Sequence, residues 1–142
     1  DGKTELPIIA YQRSKNSGSQ TLMENVVMKG IPMREAPMEY TPGGMGVMMD
    51  VIDYKNSMDA IGYTVYYYAA EMNKKENVKF LSVNGIACNK ETIRSKEYPF
   101  SGPLYAITRE GDESESVQTL LEFLQSREGQ KLVEWGGFVP LQ

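Results

Sequence analysis

Arg13-Ser14-Lys15-Asn16-Ser17-Gly18-Ser19, followed at once by Leu22, Met23, Val26 and Val27 at helical spacing, is the stretch on which the reading of this chain turns. Leu6-Pro7-Ile8-Ile9-Ala10-Tyr11 before it has the β-branched character of a short extended segment. Gly30 and Pro32 stop the pattern behind it, which predicts a helix over roughly 18–29 with Asn16 or Ser17 as its N-cap. A helix N-terminus exposes unpaired backbone N–H groups and the positive end of the macrodipole, so an anion there meets donors that exchange no proton. Ser17 and Ser19 add hydroxyl donors, and Gly18 lets the backbone approach a ligand closely. Arg13, four residues before Ser17, belongs to the extended segment and brings a planar fork suited to an oxyanion. The plain alternative is a Ser-rich helix cap beside a surface arginine, and these residues by themselves leave both readings open. Lys15 reads as a solvated neighbour in either case.

Outward from this stretch, residues 31–43 hold three prolines and suit a loop or short edge strand. Gly43-Gly44-Met45-Gly46 opens a second pattern, with Val47, Met48, Val51 and Ile52 on one face of a helix over roughly 45–54. The glycine cluster reads as a second anion-facing turn or as a flexible helix start; it lacks the Gly-Lys-Ser/Thr of a nucleotide loop. Ala60-Ile61-Gly62-Tyr63 predicts a short strand to Gly62, then a helix with Tyr63, Tyr66, Tyr67 and Ala70 on one face. With no basic residues interleaved, these tyrosines are packing residues with wet hydroxyls, not a base-stacking platform. Asn84-Gly85 between two extended runs, 78–83 and 86–88, is a hairpin signal, and 90–96 reads as a polar helical turn. Residues 100–108 form another extended run, kept out of a helix by Pro99 and Pro103. Acidic residues at 112–116 begin a last helix with Val117, Leu120, Leu121, Phe123 and Leu124 as its inner face. Alternating strands and helices predict an α/β layered fold.

Composition narrows the chemistry. The 142 residues are 41% hydrophobic, enough for one domain with a sizeable core, and no apolar run approaches the roughly 20 residues needed to span a bilayer. A net charge of −4 argues against a sequence-independent nucleic-acid binder. It leaves small anions open, because recessed donors act over a few ångströms while the field of net charge is screened over about 8 Å. With no histidine and the single cysteine Cys88, an internal disulfide, a Cys-based zinc site and a Ser-His or Cys-His nucleophile pair are all excluded within this chain. Cys88 reads as a small buried apolar residue. No catalytic residue, metal site or cofactor is assigned. The chain begins Asp1-Gly2-Lys3-Thr4-Glu5, without an initiator methionine or apolar signal core, and so reads as an excised or processed piece.

Four stretches together resemble one family, the phosphate-binding substrate receptors of ABC importers, which are two-lobed, hinge-closing type II periplasmic binding proteins. They are Arg13-x-x-x-Ser17-Gly18-Ser19; Ala60-Ile61-Gly62-Tyr63 with its aromatic helix; Tyr98-Pro99-Phe100; and a tail running from Phe123-Leu124 through Ser126 and Glu128-Gly129-Gln130-Lys131 to Gly137-Phe138-Val139-Pro140-Leu141. They follow the family's order and rough spacing along nearly the whole chain. The resemblance implies an α/β fold that is one lobe of such a receptor, a mixed sheet flanked by helices. Residues 7–105 would be the anion-binding second lobe with a hinge crossing at each end, 7–13 and 98–105. Residues 106–142 would be a C-terminal helical segment that in the family packs on the first lobe.

By position, the resemblance makes Arg13, Ser17, Gly18 and Ser19 the phosphate ligands. The family's first lobe, with the carboxylate that accepts the proton of hydrogen phosphate, has no counterpart in this chain. The implied partners are inorganic phosphate, or a similar tetrahedral oxyanion, and an ABC permease in the full-length protein. The implied location is extracytoplasmic, in the periplasm or as a bacterial cell-surface lipoprotein. An isolated half-site is expected to hold phosphate weakly and to separate it poorly from sulfate. A C-terminal helix without its first-lobe surface is expected to expose Leu121, Leu124 and Trp135, or to bury them in a dimer or a repacked tail. Two other readings are a secreted or sensor relative that binds another oxyanion or a protein, and a Ser-dependent hydrolase. The hydrolase has no G-x-S-x-G elbow and no histidine base to work with.

Overall fold

The computed structural model describes residues 7–34, 40–41, 47–55, 59–111 and 114–141. The chain divides into two compact units, Asp1–Phe80 and Leu81–Gln142.

In the first unit the strands are two residues long and pair in parallel. β1 (Ile9–Ala10) runs beside Ala60–Ile61, and β2 (Gln12–Arg13) beside β3 (Tyr40–Thr41), with Arg13 opposite Thr41. Tyr11, between β1 and β2, is buried and donates its N–H to Ile61 O at 2.8 Å. α1 (Gly18–Leu22) continues as a π-helical stretch, Met23–Met28. The helical extent is thus as predicted, but its second half is wound wider than an α-helix. Lys29 and Gly30 end it with positive φ, 50° and 87°.

α2 (Val47–Lys55) lies against β3 and against β4, the Ala60–Ile61 strand. It supplies the buried Met48 and Met49. Gly62, just past β4, is where α2 comes closest: a Cβ there would stand 2.7 Å from Met48 Sδ and 3.1 Å from Ile52 Cδ1. The predicted strand and following helix are both present, but the helix starts only at Tyr66 and widens to π-helix over Tyr68–Met72, so Tyr63 lies before it and its hydroxyl is bonded within the protein and not left to water. Tyr66 packs on Phe80 with ring centroids 5.5 Å apart, and Ala69 is buried. Residues 35–39 and 42–46, which include the Gly43–Gly46 cluster, lie outside the described residues.

The second unit holds the predicted Asn-Gly turn. Asn84 and Gly85 have φ of 53° and 80°, and Val83 and Ile86 exchange two backbone bonds at 3.0 Å. The flanking strands shrink to that one bridged pair. α3 (Lys90–Arg94) begins with a reciprocal cap between Asn89 and Thr92. The extended run expected over 100–108 forms no strand, and residues 102–110 are exposed. A strand needs a partner to complete its ladder, and this run makes no bridge with any of the described residues.

α4 (Glu115–Gln125) matches the predicted last helix, but a further helix, α5 (Arg127–Trp135), follows it after one residue. That residue, Ser126, caps α5 by accepting from Gly129 N at 3.1 Å and donates to Phe123 O at 2.7 Å. α5 ends with Gly137 at φ 90°, Gly137 N bonded to Glu134 O and Phe138 N to Val133 O, so its last carbonyls are satisfied. Gln130 ties the tail down: its Nε2 donates to Leu124 O at 2.7 Å, and its Oε1 accepts from Leu141 N at 2.6 Å. The expected inner face of α4 is largely uncovered, with Leu120, Phe123 and Leu124 exposed and Val117 and Leu121 half-buried. Trp135 is 88% exposed; of the three residues expected to be bare, Leu121 and Leu124 are partly covered. Cys88 is half-buried, and burial raises its thiol pKa against the lowering effect of a hydrogen bond with Tyr98.

Candidate anion-binding site

Arg13 ends β2 and is only 2% exposed, which removes the surface-arginine reading. Its strand lies against α1, so the elements carrying all four predicted ligands are neighbours. Ser17 is the N-cap of α1, with extended backbone (φ −86°, ψ 146°) and Oγ accepting from Gln20 N at 3.3 Å. Ser17 O takes the N–H of Thr21 at 3.0 Å, which closes the first turn. Gly18 is exposed at the first helical position, and Ser19 behind it is 3% exposed. Ser19 Oγ is buried with no hydrogen-bond partner among the described residues. The N–H groups of Gly18 and Ser19 likewise have no partner there. A buried hydroxyl without a partner costs about 1–3 kcal/mol. An anion that met this hydroxyl and the two orphan N–H groups would recover that cost, and the nearby buried guanidinium acts through a medium less polar than water.

Tyr63 and Gln20 complete the surroundings, and neither was singled out from sequence for this role. The Tyr63 hydroxyl accepts the N–H of Arg13 at 3.0 Å and donates to Gln20 Oε1. Gln20 Nε2 donates to Glu24 Oε1 at 2.8 Å and approaches Met33 Sδ at 3.3 Å, while Gln12 Nε2 approaches the same sulfur at 3.6 Å. Burial raises the Tyr63 pKa, the bond from Arg13 N and the Arg13 charge oppose the rise, and Glu24 adds to it. The phenol is therefore a neutral hydrogen-bonding group at ordinary pH. From sequence Tyr63 stood on a helix face and in one of the family-like stretches, neither of which points to these bonds; the partners lie 43 and 50 positions away. No group of three His, Cys, Asp or Glu side chains suited to a metal ion occurs among the described residues.

Residues 1–128 match the PBP superfamily domain. The chain belongs to the PBP superfamily. Among relatives of this superfamily chain, the phosphate-binding protein PstS of Borreliella burgdorferi is 29% identical over 145 residues, covering 99% of this chain and 51% of the relative. The phosphate-binding protein PstS 2 of Streptococcus agalactiae is 31% identical over 74 residues, 52% of this chain and 25% of the relative. The crystal structure of PstS from Borrelia burgdorferi superposes with a TM-score of 0.62 at 25% identity, over 94% of this chain and 53% of that one. A phosphate-binding protein of a phosphate ABC transporter from Streptococcus pneumoniae superposes with a TM-score of 0.67 at 18% identity, over 95% and 52%. The superfamily chain thus has the periplasmic-binding-protein-like fold and spans a quarter to about half the length of these relatives.

Proposed function

We propose that this chain is the second lobe and C-terminal segment of a solute-binding protein that takes up inorganic phosphate for an ABC importer, with Arg13, Ser17, Gly18 and Ser19 as one jaw of the phosphate site. The observation that carries the reading is the buried, unpartnered Ser19 hydroxyl next to the orphan N–H groups of α1, with the Arg13 strand alongside. The relatives' names, which speak of phosphate binding, support the choice of ligand. Residues 7–105 form the anion-binding lobe and 106–142 the segment that packs on the first lobe. The bare faces of α4 and α5 and the exposed, unpaired run over 102–110 accord with this assignment. By itself the chain buries α4 against a second copy of itself. The chain acts as a binder, not as an enzyme: it has no histidine to activate a serine, and the buried Ser19 hydroxyl is no accessible nucleophile. Its place is extracytoplasmic, where the closed form of the two lobes around phosphate is presented to the permease. Phosphate favours that closed form by its difference in affinity for the open and closed states.

Titration of the isolated chain with phosphate and with sulfate, followed at the amides of Ser17, Gly18 and Ser19, tests the reading. Both anions shift these amides, with dissociation constants on the order of millimolar or weaker, since hydrogen bonds open to water contribute about 0.5–1.5 kcal/mol each. Absence of any response removes the site. Micromolar affinity with strong preference for phosphate removes the half-site interpretation.

A further inference from the structure

Tyr63 joins the two elements that carry the proposed ligands. Its oxygen accepts the main-chain N–H of Arg13, and its proton goes to the side-chain oxygen of Gln20, the residue after Ser19 in α1. A backbone N–H only donates, so the direction of both bonds is fixed. The Gln20 amide is fixed too, because its NH₂ end is taken by Glu24 Oε1 and Met33 Sδ. Gln20 is 4% exposed, so water does not readily replace these partners. At its other end Tyr63 follows Gly62, where a side chain would press on the Met48 and Ile52 side chains of α2. One hydroxyl, anchored by β4 and α2, therefore sets β2 relative to α1. A tyrosine kept for its ring alone would be interchangeable with phenylalanine; this one makes two bonds that phenylalanine cannot.

We infer that Tyr63 is a positioning residue of the oxyanion site, holding Arg13 at working distance from the Ser17–Ser19 donors with Gln20 as its acceptor. The inference rests on the phosphate reading above. Hydrogen bonds weaken steeply once distance or angle drifts, so loosening one jaw by a fraction of an ångström reduces affinity without removing a ligand.

The test is inorganic phosphate titrated into the chain, into Tyr63→Phe and into Gln20→Met, with Ile52→Val as a control that loosens α2 without touching the hydroxyl. Tyr63→Phe and Gln20→Met bind phosphate about tenfold more weakly. In both, without phosphate, the Arg13 amide proton shifts upfield and exchanges faster with solvent. Ile52→Val keeps the affinity of the unaltered chain. Gln20→Met decides the matter should Tyr63→Phe not fold. Equal affinity in Tyr63→Phe, or an equal loss in Ile52→Val, overturns the positioning role while the phosphate site stands. No response of the unaltered chain to phosphate overturns the phosphate reading, and the positioning role with it.

Discussion

Gly129 in α5 meets the carbonyl of Phe123 at the end of α4 with no space for a side chain: a Cβ there would stand 1.9 Å from Phe123 O and 2.9 Å from Leu124 Cα. The obstacle is backbone on both counts, so no rotamer change relieves it. Gly129→Ala must force α4 and α5 apart, breaking the Ser126 cap and the Gln130 tie to the tail. The expected loss is about 3 kcal/mol, at the upper end for overpacking. Urea unfolding monitored by far-UV circular dichroism reads it; a midpoint within error of the unaltered chain would show that the two helices separate without cost.

Ser19→Ala separates stability from binding. The hydroxyl is buried without a partner among the described residues, so deleting it relieves a desolvation penalty and stabilises the free chain by about 1 kcal/mol. The same change weakens phosphate binding several-fold, about one hydrogen bond's worth. Opposite signs in thermal unfolding and in phosphate titration check the prediction. A loss in both would make Ser19 a structural hydroxyl.

What could be read from sequence was what is encoded locally. Ser17 as a cap, the Asn84-Gly85 turn and the helix after Ser19 are each fixed by a few adjacent residues, and all are present. The α5 helix was hidden by its own Gly129, a poor helix former that is required by contact with α4. The run over 100–108 has strand-like residues, but it pairs with none of the described residues. β3 is two residues inside the proline-rich stretch that suited a loop or short edge strand, too short for periodicity to say where the strand lies or what it pairs with. At the candidate site, spacing made it legible that Arg13 and Ser17 to Ser19 gather near one helix start, while their role as ligands came from the family resemblance. Tyr63 was not legible there, since its role comes from bonds to Arg13 and Gln20 that only the folded chain brings together.

Arg13→Lys distinguishes charge from geometry. Lysine keeps the positive charge but lacks the planar fork, and its ammonium is more strongly hydrated. Arg13→Ala loses about 1.5–3 kcal/mol of phosphate binding, tenfold or more, and Arg13→Lys recovers only part of it. Isothermal titration of the two variants beside the unaltered chain gives the answer. Unchanged affinity in Arg13→Ala would take Arg13 out of the site.

The raised pKa of Tyr63 gives unit one a pH dependence of known sign. Burial disfavours the phenolate, so the folded pKa lies above the ordinary value of 10.0 in spite of the opposing bond from Arg13 N and the Arg13 charge. Below the unfolded pKa the phenol is neutral in both states and its stabilising contribution is complete. Above it the unfolded chain releases the proton first, so stability falls as pH climbs through the folded pKa. Tyr63→Phe has no proton to release. Its urea midpoint starts lower near neutral pH, for want of two hydrogen bonds, and the gap to the unaltered chain narrows as pH rises from about 9 to about 11. Other tyrosines contribute equally to both proteins and cancel in the difference. A gap that stays constant across this range would mean that Tyr63 ionises as readily in the folded chain as in the unfolded one.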